Sequence, residues 1–124
     1  GWTVAETVTV ARWAHEAGAD LVDVSSGGNV TGVRIPTGPG YQVPFAAAVR
    51  GGTDVPTGAV GQIVGANQAE TILASGEADA VFVGREFLRD PHLPLRMAHE
   101  LGVQLDYWPN QYLRADFAHR PNVD

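Results

Sequence analysis

The chain contains no cysteine, so it can form neither a disulfide framework nor a thiolate metal site. It has no apolar run near the roughly 18–20 residues that a membrane-crossing helix requires, and its first residues carry no signal-peptide pattern. Positive charge is scarce: 8 Lys and Arg stand against 14 Asp and Glu, for a net charge of −6. That balance argues against general nucleic-acid binding, which needs a basic footprint, but leaves room for a local cationic pocket. The expectation is a cytoplasmic protein with no membrane or nucleic-acid partner. Histidine is sparse as well. His15, His92, His99 and His119 are scattered, with no His-x-x-x-His and no carboxylate pair at metal spacing, so surface or packing roles are expected for all four. Asp20, Asp23, Asp79 and Asp90 read as strand-end and turn carboxylates rather than a general acid–base pair. There is no Gly-x-Ser-x-Gly and no nucleophile beside a base.

What is present is enough for one ordinary core: 44% of 124 residues are apolar, and 15 are glycine. Thr3 with Glu6 forms a capping box that opens a first helix. Val4, Val8, Ala11, Trp13, Ala14 and Ala17 supply its apolar face, and Gly18 is placed to cap its end. Asp20–Ser25 is short and β-branched, the pattern of a strand covered on both faces, and Ser25-Ser26-Gly27-Gly28 terminates it. A long loop from Asn29 to Gly40 leads to a helix over Tyr41–Arg50. A second strand spans Val55–Val60, broken early by Gly58, and is followed by a helix over Asn67–Ala74. The third strand is Ala80–Val83. A short helical turn follows it, and a last helix opens near Pro91 and reaches Leu101-Gly102. Residues 103–124 contain Pro109 and Pro121 and show no period, so an ordered but irregular tail is expected after three strand–helix units in residues 1–102.

Repeated strand–helix units call for a parallel sheet with helices packed on it. Three parallel strands leave both edges unpaired, and a closed barrel of such units takes about 200 residues or more. The chain is therefore expected to be the C-terminal part of something larger, with a small three- or four-stranded α/β domain as the alternative.

Chemistry concentrates in Asp79–Pro91. A buried strand runs into Gly84, then Arg85, then a helical turn. A glycine lets an anion approach the backbone, helix N-terminal amides attract it, and a guanidinium offers a bidentate fork. A second glycine turn, Thr57-Gly58-Ala59-Val60-Gly61, also ends a strand. Two successive strand ends presenting glycines is how a (β/α)-barrel builds a phosphate site. Paired serines at Ser25 and Ser26 are by themselves more often loop hydrogen-bonders.

Five segments in order, DVSSGG, PGYQVPFA, TGAVGQI, ADAVFVGREFLRDP and QYLRADF, resemble the C-terminal third of the old yellow enzyme family, in its bacterial NADPH dehydrogenase and xenobiotic reductase branch. The resemblance covers Trp2 to Phe117. It implies an α/β fold, the strands being strands six to eight of a (β/α)8 TIM barrel, with FMN at their C-terminal ends and NADPH or NADH as reductant. It implies that Gly84 and Arg85 hold the flavin phosphate and that Gly61 is a second phosphate-binding backbone position, ranked above Gly58 in the same turn. Ser25 and Ser26 would lie beside the ribityl chain, with Gly27 and Gly28 allowing close approach. Arg114 matches an arginine that certain members extend into a neighbouring subunit's active site, which implies a homo-oligomer. This chain departs from the pattern there, with an extra residue in the preceding loop and Ala118 to Asp124 beyond the usual end.

The implied reaction is reduction of the C=C bond of an enone or enal. The carbonyl-binding and proton-donating residues would lie in the remainder of the barrel, so no catalytic residue is expected in this segment and the segment alone should be inactive. Two other readings share its features. One is a different phosphate-site barrel, such as a flavin-dependent hydroxy-acid oxidase or a sugar-phosphate enzyme. The other is a non-enzymatic half-barrel that binds or assembles.

Overall fold

The computed structural model describes residues 1–117; the expected role of His119 and the extra residues 118–124 lie outside them. Helix α1 (Val4–Glu16) begins as its sequence predicts. The Thr3 hydroxyl accepts the Glu6 N–H, and the Glu6 carboxylate accepts the Thr3 N–H at 2.7 Å. Those bonds satisfy two backbone donors that a helix start leaves without partners. The Thr3 hydroxyl, which donates to the Glu6 carboxylate at 2.7 Å, is the largest cause holding that carboxyl below its usual range, followed by the Thr3 N–H. Past its end Gly18 adopts φ +104°, a conformation open to glycine, and its N–H returns to the His15 carbonyl. Ala11 is the residue of α1 that is buried, whereas Trp13, expected on the apolar face, is 62% exposed.

Strands β1 (Val22–Val24), β2 (Thr57–Val60) and β3 (Ala80–Phe82) form one parallel sheet in the order β1-β2-β3. The register places Val24 beside Ala59 and Val60 beside Phe82. All three strands are shorter than expected, because the flanking residues leave the ladder as the chain turns into its loops. Helices α2 (Val43–Gly52), α3 (Ala66–Ala74), α4 (Arg85–Arg89) and α5 (Leu93–Glu100) complete the units, with Pro44 and Pro94 in the first turns of α2 and α5, where a missing N–H costs nothing. Instead of an irregular tail, residues Asn110–Ala115 form a 3₁₀ helix, with Tyr112 against His92 and Phe117 stacked on His99 at 3.9 Å.

Gly58 does not break β2: it lies inside the strand, paired with Asp23 and Ala80. The missing side chain makes room for a neighbour, since a Cβ there would sit 2.1 Å from the Phe82 ring.

The core lies on one face of the sheet. Val24, Ala46, Val49, Val55, Ala59, Ile72 and Ala78 pack there with Ala11. Alternation along the strands sends Asp23 and Phe82 to the other face, and both are exposed. β1 was expected to be covered on both faces; among the described residues only one face is covered, and both outer strands keep an unpaired edge.

The end of the sheet where the strands begin is tied by Asp79. Its carboxylate accepts the Thr57 N–H at 2.9 Å and the Arg50 guanidinium at 3.0 Å, and Arg50 also reaches the Gly76 carbonyl. The Thr57 amide is the main reason the Asp79 carboxyl titrates below its usual range. The opposite end, where the strands finish, is left to loops.

Candidate functional site

Parallel strands in register finish at one edge, so the residues after β1, β2 and β3 are brought together although 59 positions separate Ser25 from Gly84. There they line a cleft of about 660 Å³. Ser25 and Ser26 come from the end of β1, Gly61 from the end of β2, and Gly84 and Arg85 from the end of β3. Five of the seven residues proposed from the sequence thus meet. Gly58 is held back inside β2 under the Phe82 ring, and Arg114 lies exposed on the 3₁₀ helix; neither lines the cleft. Gly27 has φ +74°, and a Cβ built there would lie 2.6 Å from the Ile35 side chain, so both conformation and space call for glycine in this loop.

At Gly84 the chain passes from β3 into α4, of which it is the N-terminal cap residue. Its φ of −95° does not demand glycine, and a Cβ built there would meet nothing within 4 Å. Open space, rather than a packing partner, lies where the side chain would be. Arg85 follows, exposed, and forms no ion pair among the described residues. The carboxylates that a surface arginine here would use are already engaged: Glu86 pairs with Arg89, and Asp90 with Arg96 at 2.7 Å. The Arg96 guanidinium is the largest cause holding the Asp90 carboxyl below its usual range. The local cation excess is therefore Arg85.

Gly61 has φ +121°, and a Cβ there would lie 2.8 Å from the Gln42 side-chain nitrogen and 2.9 Å from the Tyr41 ring. Glycine is required twice at this position, by conformation and by space. Gln62 continues the turn at φ +53°, an uncommon value for a residue with a side chain.

Gln42, the residue before α2, is 4% exposed and joins the ends of β1 and β2. Its side-chain oxygen accepts both the Ser26 N–H and, at 3.0 Å, the Ser26 hydroxyl; its nitrogen donates to the Val60 carbonyl at 3.0 Å. Sequence reasoning did not single it out. Its position between a glycine turn and a helix-opening Pro44 was the available signal, and that signal is weak because long polar residues are usually exposed.

On the sheet face that leads into the cleft, partial desolvation by the neighbouring protein raises the Asp23 carboxyl above its usual range although the residue remains exposed. No group of three or more metal-ligating side chains occurs among the described residues. The donor set is instead one for an oxyanion: an open glycine, a guanidinium without an ion-pair partner among the described residues, and backbone amides, with the neighbouring carboxylates neutralised. A phosphate ester fits it in charge and in space.

A profile of the NADH:flavin oxidoreductase / NADH oxidase family matches residues 1–104. The chain is 49% identical over 115 residues to an NADPH dehydrogenase of Bacillus pumilus and 51% identical over 114 residues to one of Geobacillus thermodenitrificans. It is 48% identical over 115 residues to one of Bacillus cytotoxicus. These alignments cover 92–93% of this chain but only 33% of each relative, so the chain spans about a third of the length of the curated relatives it matches.

Proposed function

Because the chain belongs to the NADH:flavin oxidoreductase / NADH oxidase family, the old yellow enzyme family, we propose that it is the FMN-gripping segment of an NAD(P)H-dependent ene-reductase. Family membership implies a TIM barrel, and the segment is read as its strands six to eight with their helices, residues 1–102, followed by a tail over 103–124. The two unpaired sheet edges and the uncovered face support that reading. Each asks for further parallel strands and for an interior layer that the remainder of the barrel would supply.

The observation that carries the proposal is an open Gly84 beside an Arg85 that forms no ion pair among the described residues, at the mouth of the cleft. In this reading the Arg85 fork and the backbone at Gly84 and Gly61 hold the terminal phosphate. Ser25 and Ser26 stand beside the ribityl chain, and Gly58 leaves room for the Phe82 ring, which lines the cleft. Arg114 is assigned to a neighbouring subunit's site in a homo-oligomer. Bound flavin would supply the redox chemistry, delivering hydride equivalents from NADPH or NADH to the C=C bond of an α,β-unsaturated carbonyl. This segment contributes binding, orientation and exclusion of water, but no acid or base at the reacting atoms, so by itself it is inactive. A cytoplasmic location suits such a reductant; no helix among the described residues is long and apolar enough to cross a membrane.

The test uses the full-length parent. A flavin absorbance band in the purified protein, released as FMN on denaturation, together with enone-dependent oxidation of NADPH, is the expected result. A colourless protein that neither binds added FMN nor oxidises NADPH would refute it.

A further inference from the structure

The Gln42 bridge has a consequence for the phosphate grip. A trans peptide is planar, with its C=O and N–H pointing in opposite directions. The Val60 carbonyl is fixed by the Gln42 side chain at 3.0 Å, so the Gly61 N–H, which belongs to the same peptide, is turned away from Gln42. The next peptide is fixed in the same manner: the Gly61 carbonyl accepts the Gly40 N–H at 3.0 Å, which sets the direction of the Gln62 N–H. No turn, loop or cap hydrogen bond among the described residues takes either of these two N–H groups, and both Gly61 and Gln62 line the cleft. Gln42 itself cannot drift. It is buried, its oxygen is anchored on Ser26, and the left-handed Gly61 leaves it the space a Cβ would fill.

Resting on the flavin reading above, we infer that Gln42 is a positioning residue: by holding the Val60 carbonyl it aims the Gly61 amide, and with the Gly40 contact the Gln62 amide, at the cofactor phosphate. Two amides fixed in one turn make a small concave anion site, and their strength depends on their not having to reorganise when the anion arrives. Gln42 touches no part of the cofactor in this account. Its oxygen is anchored on Ser26 at the end of β1, which holds the side chain in place.

The inference separates from a general packing role through the phosphate. The full-length parent and its Gln42→Met and Gln42→Asn variants are titrated with FMN and with riboflavin, which lacks the phosphate, following flavin fluorescence. Met keeps the volume and removes all three side-chain hydrogen bonds; Asn keeps the amide but is one methylene too short to span Ser26 and Val60. In whichever variant purifies folded by circular dichroism, FMN affinity is expected to fall about tenfold while riboflavin affinity stays within twofold. Equal losses for the two flavins would reduce Gln42 to a packing residue, and an unchanged FMN affinity would remove its role altogether; either overturns the inference. Failure of the unsubstituted parent to bind FMN would overturn the flavin reading, and this inference with it.

Discussion

The most direct perturbation is Arg85→Ala in the full-length parent. A charge-assisted hydrogen bond to a phosphate contributes roughly 1.5–3 kcal/mol, or about 10- to 150-fold in dissociation constant. Arg85 is exposed and stands at the open end of the cleft, which places it toward the weaker end of that range, near tenfold. Nothing offsets the loss. Arg89 also lines the cleft but is occupied by Glu86, and no carboxylate among the described residues is released when Arg85 is truncated. The assay is a fluorescence titration of apoprotein with FMN at two ionic strengths. The deficit should shrink in high salt, since a partly exposed ion pair is screened. Riboflavin should bind the variant and the parent alike. Arg96→Gln serves as a control, because that guanidinium is committed to Asp90 and Glu100 and lies outside the cleft. An FMN affinity within twofold of the parent would refute the phosphate role of Arg85.

Other perturbations test the fold that presents the site. Gly58→Val should destabilise the parent by about 1–3 kcal/mol, because a side chain there meets the Phe82 ring and forces a shift; an unchanged melting temperature would disprove that contact. Thr3→Ala removes one half of the capping box and should cost about 1 kcal/mol, read from denaturant titration, whereas Thr3→Ser should retain most of it. Asp79 gives a pH signature. Its folded-state carboxyl is depressed, chiefly by the Thr57 amide and then by Arg50, so its stabilisation is present above the ordinary carboxylate range and is lost as pH falls through the lower folded value. Asp79→Asn should therefore flatten the acid limb of the stability curve below about pH 4, and parallel acid limbs for parent and variant would contradict the assignment.

Several features were legible in the residues themselves because their causes are local. The Thr3/Glu6 box and the Gly18 cap need only neighbours three or four positions away. The alternation of short β-branched runs with helices is enough to specify a parallel sheet, since parallel strands require a crossover between them. The glycine–arginine step after β3 was visible for the same reason: strand end, glycine and cation are contiguous. Strand lengths were less legible, because a ladder ends where its neighbour ends, and that is a property of pairs. The exposure of Trp13 was misread because helical period says which residues share a face but not how wide a face the partner covers.

What the sequence determined alone was therefore the inventory and order of elements, the family pattern, and the presence of anion-binding groups after the strands. What only the tertiary structure decided was which of those groups act together. Register brought Ser25, Ser26, Gly61, Gly84 and Arg85 to one edge and held Gly58 back beneath Phe82. Pairing between side chains three and six positions apart took Glu86 for Arg89 and Asp90 for Arg96 and so left Arg85 free of an ion pair among the described residues. Burial of Gln42 between two strand ends turned an ordinary polar residue into the brace of the glycine turn. The register and the Gln42 brace depend on distances between residues far apart in the chain, which no local pattern encodes.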